Sequence, residues 1–189
     1  MAYRGSNPTA VWILIAINLL LFIATLINQN LILLLGLAPA SFLARPWTIV
    51  TNLFVHGGFW HIIANMITLY FFGSFLYRLI GKNKFLLVYF GGGILGNIFY
   101  LLLAPSPFSI AIGASGAIFA LAGVLVVLMP NLRVLLFFII PLPLWVVVLF
   151  FFVIWSFLPG IAWQAHLGGL VIGLVAGFIF RRRVRYYYT

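Results

Sequence analysis

The chain has 189 residues, of which 66% are hydrophobic and 5% are charged. Soluble globular domains carry about 25% charged residues, so this composition predicts an integral membrane protein of the all-α class. The chain contains no cysteine, aspartate or glutamate, which excludes disulfides, thiol nucleophiles, paired-carboxylate catalysis, carboxylate-ligated metal sites and a Ser-His-Asp triad within the chain.

Six apolar segments are candidates for membrane-spanning helices, since a span needs about 20 apolar residues. Four are clear and two are short; in chain order all six are 10–28, 60–80, 84–104, 115–130, 143–158 and 165–181. Asn7 and Pro8 form a start signal for the first helix. No small-residue cleavage site follows it, so we expect it to remain in the mature protein as part of one transmembrane domain over 1–189.

The positive charge predicts the orientation of these helices. Nine of the ten basic residues fall between or beyond the apolar segments, at Arg4, Arg78–Lys84, Arg133 and Arg181–Arg185. Six spans put all four places on one side, and the positive-inside rule makes that side the cytoplasm, with both termini. The basic loops then face an anionic leaflet, and no soluble basic domain exists to bind nucleic acid.

Arg45 then lies in the first external loop, 30–58. This loop is long and apolar, and Trp47 suits a membrane interface. We expect the loop to be associated with the outer leaflet rather than to project into water.

The fourth segment predicts a helix that begins below the membrane surface. After Pro105 and Pro107, β-branched and glycine residues favour extended chain until a helix begins near Ser115. From Ser115 to Met129 a helix extends about 22 Å, less than the roughly 30 Å of a hydrocarbon core. Non-helical backbone at that depth requires burial by protein or a water-filled cavity. Ser115 is therefore expected at a helix N-terminus on the floor of a cavity.

Polar side chains of three predicted spans lie at a similar depth. His61 and Asn65 are four residues apart and share one face of the second helix. His166 is near the outer end of the sixth helix, and Ser115 opens the fourth. One histidine in a span is at least as often a satisfied interhelical hydrogen bond as a functional group, but the three sites together predict a functional cluster.

Small residues predict that the fourth and sixth helices approach closely. The two stripes are Gly116, Ala120 and Gly123 on one helix, and Gly169, Gly173 and Gly177 on the other. Such packing could bring His166 within hydrogen-bond reach of Ser115, as a Ser-His dyad without an acidic member. The helix N-terminus offers N–H groups to an oxyanion, and His61 and Asn65 could add side-chain donors.

Three separated motifs resemble those of rhomboid intramembrane serine proteases. GASG, 113–116, is similar to the family G-x-S-G box; HGGFWHIIAN, 56–65, to its H-x4-H-x3-N pattern; and AHLGGLVIG, 165–173, to its sixth-helix motif. The resemblance covers nearly the whole chain. It implies a six-transmembrane-helix rhomboid-like bundle of the compact prokaryotic type, in a cell membrane.

The same resemblance implies the roles of individual residues. Ser115 would be the nucleophile and His166 the general base. His61 and Asn65 would serve the oxyanion hole, and the supporting residues would be His56 and Gly113. The implied activity is serine endopeptidase cleavage of transmembrane protein substrates in the lipid bilayer, with no metal and no cofactor.

The sequence departs from the family pattern at three places. Family members often have Trp-Arg in the first external loop, whereas here Thr48 follows Trp47 and Arg45 lies two positions earlier. Tyr77 stands where a glutamate is often found. Phe119 stands where some members have a tyrosine that stacks on the base, and a phenylalanine can still stack.

Two other classes of function fit parts of the pattern. A catalytically silent rhomboid-like protein would bind client helices without cutting them, although such proteins typically lose the serine or the histidine. A channel or transporter would need polar groups beyond Ser115, and the inner ends of the fourth and sixth helices are apolar.

The fifth helix is predicted to be a lateral gate for substrates. Pro141 and Pro143 lie near its expected cytoplasmic end, and it offers few small residues to lock it against neighbours. The predicted gate consists of this helix together with the loop SFLPGIAW that follows it.

Overall fold

The structure, a computed structural model, describes residues 7–136, 139–158 and 160–184. The first helix, α1, is Thr9–Ile27. The loop after it contains three short helices, α2 (Asn30–Leu35), α3 (Pro39–Phe42) and α4 (Thr48–Thr51), and the 3-10 turn Asn52–Phe54.

The remaining elements follow the predicted order. They are α5 (Phe59–Thr68), a π-helical segment (Leu69–Gly73), α6 (Ser74–Ile80), α7 (Lys82–Leu103), α8 (Ser115–Leu128), strands β1 (Arg133–Leu136) and β2 (Ile140–Pro143), α9 (Leu144–Phe157) and α10 (Trp163–Val184). Each predicted span thus contains a helix whose ends lie within a few residues of the expected ones.

In the described part of the chain, four helical stretches are long and apolar enough to cross a bilayer. They are Thr9–Ile27, Phe59–Ile80, Lys82–Leu103 and Trp163–Arg181. Helices α8 and α9 have 14 residues each, which corresponds to about 21 Å. The mostly helical membrane protein is confirmed, while the count of six crossings stays a prediction.

The connection between α8 and α9 differs from the sequence prediction. Pro141 and Pro143 do not belong to the fifth helix but to β2, where they oppose Leu135 and Arg133 of the antiparallel strand β1. Proline has no N–H group to donate and clashes with the preceding turn of a helix. Helix α9 therefore begins only at Leu144, after the second proline.

Helix α8 lies in the middle of the fold. Eleven of its 14 residues are buried, so it has no broad face for lipid. An all-apolar helix can be stable either inside a protein or in lipid, and the burial of α8 shows that other elements of the protein surround it along most of its length.

The small-residue stripes of α8 and α10 face each other at backbone contact. A Cβ atom added at Gly169 would overlap the carbonyl oxygen of Gly116, and one at Gly173 would overlap that of Ala120. Neither carbonyl can retreat without disturbing its own helix. The predicted close packing of these two helices is confirmed.

This contact predicts which glycine substitutions destabilise the protein. We expect Gly173→Ala to lower the Tm in detergent by several degrees, because overpacking a core costs about 1–3 kcal/mol. The matched control is Gly91→Ala in α7, where a Cβ meets nothing within 4 Å. Thermal unfolding followed by circular dichroism checks this, and an equal Tm for the two variants would contradict the packing.

Candidate active site

Ser115 and His166 meet near the N-terminal ends of α8 and α10, where these two helices are in contact. Ser115 is the first residue of α8, and its Oγ lies 2.7 Å from Nε2 of His166. His166 is buried, whereas Ser115 is only half-buried. Gly116 and Gly169 lie next to this pair, so the close approach of the backbones also sets the distance between the side chains. The predicted hydrogen-bond reach is confirmed.

Phe119 holds the ring of His166 from one side. It lies one turn after Ser115 on α8, and its ring stacks on the imidazole with centroids 4.7 Å apart and planes inclined by 28°. The predicted stack is therefore present. It restrains the plane of the imidazole ring.

Gly113 lets a second histidine approach the serine. Its φ of +116° lies in a region that residues with a Cβ rarely adopt. The position that a Cβ would take is 2.6 Å from Nε2 of His61 and 3.8 Å from Oγ of Ser115. Because Gly113 has no Cβ, the ring of His61 can occupy the space next to Ser115.

The chain before Ser115 is extended, as predicted, and the segment between α1 and α5 holds it. Ala111 forms an antiparallel bridge with Leu37 through two backbone hydrogen bonds of 2.8 and 3.0 Å. The N–H of Ala40 donates to the carbonyl of Pro107 at 2.8 Å. These bonds satisfy backbone groups that would otherwise be costly to bury.

His56 and Asn65 lie behind His61. The ring of His56 meets the ring of His61 edge to face, with centroids 4.8 Å apart. Burial, and to a lesser extent His61, lowers the pKa of His56 to about 3, so His56 is neutral at physiological pH. Asn65 is buried, and its Nδ2 donates to the carbonyl of His61 at 2.8 Å.

The structure therefore brings Ser115, His166, Phe119, Gly113 and His61 together, with His56 and Asn65 in support. The roles of these residues stay predictions. Within residues 7–136, 139–158 and 160–184, no three side chains of histidine, cysteine, aspartate or glutamate are grouped to hold a metal ion. A hydroxyl bonded to a neutral imidazole at a helix N-terminus is suited to nucleophilic attack on a carbonyl.

The segment between α1 and α5, which we predicted to be the first external loop, is anchored by contacts that the sequence did not predict. The side chains of Arg45, Trp47 and Thr51 donate hydrogen bonds to the last three carbonyls of α2. These carbonyls have no partners inside their own helix. The separation of Arg45 from Trp47 thus does not prevent anchoring, and a backbone acceptor gives no signal in a sequence. Tyr77, in place of the family glutamate, packs its ring against Phe85 at 5.8 Å.

The predicted gate is described only in part. Pro159 and the side chains of several residues of α9 lie outside the described residues. Of the described ones, Trp145, Leu149 and Ile154 are exposed, whereas Val147 and Val148 are buried. The gate stays a prediction.

Comparison with known proteins gives a consistent result. The family model described as Rhomboid domain matches residues 43–183. Rhomboid protease GluP of Bacillus subtilis (strain 168) is 28% identical over 181 residues, which cover 92% of this chain and 35% of that protein. Rhomboid protein 1, mitochondrial, of Saccharomyces cerevisiae is 29% identical over 172 residues, 78% of this chain and 46% of that protein. RHOMBOID-like protein 1 of Arabidopsis thaliana is 33% identical over 156 residues, 75% of this chain and 36% of that protein. The chain spans less than half the length of these relatives.

The effect on stability of the contact between Gly113 and His61 can be separated from the effect of backbone strain by comparison with another glycine. Gly81 also has a positive φ, +84°, but a Cβ there meets nothing within 4 Å. We expect Gly81→Ala to lose only the strain of a backbone conformation that residues with a Cβ rarely adopt, about 1–3 kcal/mol. Gly113→Ala should lose more, because it also displaces the His61 ring. Tm values of both variants check this.

His61→Ala provides the control, since removing the ring should relieve part of the loss in the Gly113→Ala, His61→Ala double variant. Equal losses for Gly81→Ala and Gly113→Ala would contradict the described contact.

Proposed function

Because this chain belongs to the rhomboid family, we propose that it is an intramembrane serine endopeptidase with Ser115 as nucleophile and His166 as general base. The observation that carries the proposal is the 2.7 Å hydrogen bond between Ser115 Oγ and His166 Nε2. The family match and a relative named as a rhomboid protease support the same class of activity.

The first step is attack on a peptide carbonyl. With its proton on Nδ1, His166 accepts the Ser115 hydroxyl proton at Nε2 while Oγ bonds to the carbonyl carbon. The tetrahedral intermediate then collapses, and His166 returns that proton to the leaving amine. Water hydrolyses the resulting ester, with His166 again as base. General base catalysis of this kind contributes about 10²–10⁴ in rate.

The oxyanion of the intermediate needs hydrogen-bond donors that are already in position. The N–H groups of Ser115, Gly116 and Ala117 precede the first helical hydrogen bond of α8, which Ile118 donates to the carbonyl of Ala114 at 3.0 Å, and the helix dipole favours negative charge there. His61, beside Gly113 and Ser115, and Asn65 would add side-chain donors. Loss of one such donor typically costs about 10²–10³ in rate.

A chain without carboxylates must stabilise the imidazolium differently from a triad. When His166 takes the proton of Ser115, the stacked ring of Phe119 lies within 4.7 Å of the new positive charge. A cation over an aromatic face gains about 0.5–2 kcal/mol. The same stack restrains the plane of the imidazole ring, and the bond to Ser115 Oγ holds Nε2 towards the serine.

The position of the dyad favours membrane-embedded substrates. Ser115 opens a buried helix of only 14 residues, so the scissile bond must reach it from within the bilayer. A membrane helix keeps its amides bonded internally and must unwind before it can be cut. With both termini cytoplasmic, this chain would cut single-span proteins near the outer end of their helix. Helix α9 and the loop SFLPGIAW would admit them from the lipid.

The proposal is tested with a fluorophosphonate probe, which phosphorylates an activated serine. We expect the protein in detergent to be labelled, and Ser115→Ala to lose labelling completely at unchanged Tm. His166→Ala should slow labelling by about 10²-fold or more, since the serine loses its base. Ser109→Ala is the matched control, because Ser109 bonds to Tyr100 on the same side of the protein. Equal labelling of the parent protein and the Ser115→Ala variant would contradict the proposal. It would favour the alternative of a catalytically silent rhomboid-like protein that binds client helices.

A further inference from the structure

Two asparagines that no catalytic role employs form a pair inside the protein. Asn52 follows α4 in the first external loop, and Asn97 lies within α7; each is 2% exposed. A polar side chain in a membrane-spanning helix is costly unless its hydrogen bonds are satisfied. Such a residue needs a structural or functional reason.

The amide of Asn97 is fully engaged with the first external loop. Its Nδ2 donates to Oδ1 of Asn52 and to the carbonyl of Ile49, each at 2.7 Å. Its Oδ1 accepts from Nδ2 of Asn52 at 3.0 Å. The two amides thus pair reciprocally, and both N–H groups of Asn97 are used. This pair fixes one point of the loop to one turn of α7.

A further hydrogen bond connects Asn52 to the segment that precedes the proposed nucleophile. The backbone carbonyl of Asn52 accepts a hydrogen bond from the N–H of Gly113 at 2.9 Å. Gly113 lies two residues before Ser115, at the bend that the positive φ creates. Any shift of Asn52 therefore moves the backbone from which α8 and Ser115 start.

The same turn of α7 also meets the helix of the base. A Cβ added at Gly96, next to Asn97, would lie 2.5 Å from the carbonyl oxygen of Ala165 and 3.3 Å from the nitrogen of Gly169. His166 lies between those two residues in the sequence of α10. One turn of α7 thus sets the position of both partners of the Ser115–His166 hydrogen bond.

We propose that Asn97 is a positioning residue for the nucleophile. Its amide fixes Asn52, the carbonyl of Asn52 fixes Gly113, and Gly113 fixes Ser115 against His166. This inference rests on the proposed function, in which Ser115 attacks. Asn97 touches neither the substrate nor the reacting atoms, so its loss changes the geometry of attack and not the binding of substrate.

The variant Asn97→Ala tests the inference, with Asn18→Ala as the matched control. Asn18 is also a fully buried asparagine of a spanning helix, but its Nδ2 donates to the carbonyl of Leu14 in its own helix. Asn52→Ala removes the same reciprocal pair from the loop side and serves if Asn97→Ala fails to fold.

Hydrogen exchange at Gly113 is the first measurement, by mass spectrometry of the peptic fragment that contains it. We expect exchange to accelerate about tenfold or more in Asn97→Ala and Asn52→Ala, because the acceptor of this N–H is no longer fixed. Asn18→Ala should leave it unchanged. Unchanged exchange in Asn97→Ala and Asn52→Ala would overturn the inference.

Cleavage kinetics on a transmembrane reporter are the second measurement. We expect kcat to fall by about 10–100-fold with KM unchanged, because small misplacements of reacting groups cost up to about 10² in rate. Two results would overturn the positioning role of Asn97. One is faster exchange in Asn97→Ala without a fall in kcat, and the other is a fall in kcat equal to that of Asn18→Ala. A parent protein that the fluorophosphonate does not label would contradict the proposed function instead, and exchange at Gly113 would still show whether Asn97 fixes this segment.

Discussion

The backbone contact between α8 and α10 is the interaction on which the candidate site depends. In lipid, helices gain little from hiding apolar surface, and their association relies on close contact and hydrogen bonds. Gly169 and Gly173 allow α10 to touch the carbonyls of α8. The same approach leaves 2.7 Å between Ser115 Oγ and His166 Nε2. The same backbone contact between α8 and α10 therefore determines both the stability of the protein and the geometry of the proposed dyad.

The short length of α8 determines what surrounds it. A helix that begins inside the membrane leaves extended chain at a depth where its backbone groups need partners from the protein or from water in a cavity. The segment between α1 and α5 supplies the partners: Leu37 bridges Ala111, and the carbonyl of Asn52 accepts a hydrogen bond from the N–H of Gly113. This loop is in turn tied to α7 and to the end of α2. The first loop therefore acts as part of the site and not as a linker between helices.

The sequence predicts features that depend on local chain geometry. Helical spacing places Phe119 one turn from Ser115, and the glycine stripes predict which faces meet; the structure has both. The sequence does not predict features that depend on contacts between residues far apart in the chain. Asn52 and Asn97 are separated by 45 residues, and their reciprocal bonds leave no pattern in either segment. The sequence places Pro141 and Pro143 at the start of a predicted helix. Their place in a strand depends on pairing with β1, which forms only when the chain folds back on itself.

Cleavage of a designed single-span reporter in vesicles tests the central claim, that Ser115 and His166 cut an unwound helix within the membrane. The reporter carries a Gly/Ala pair in the outer quarter of its helix, and its matched partner has leucine throughout. We expect the purified protein to cut the first reporter at that pair and the second much more slowly, and we expect the Ser115→Ala variant to cut neither. Equal cleavage of both reporters, or cleavage only in the soluble tail far from the bilayer, would contradict it.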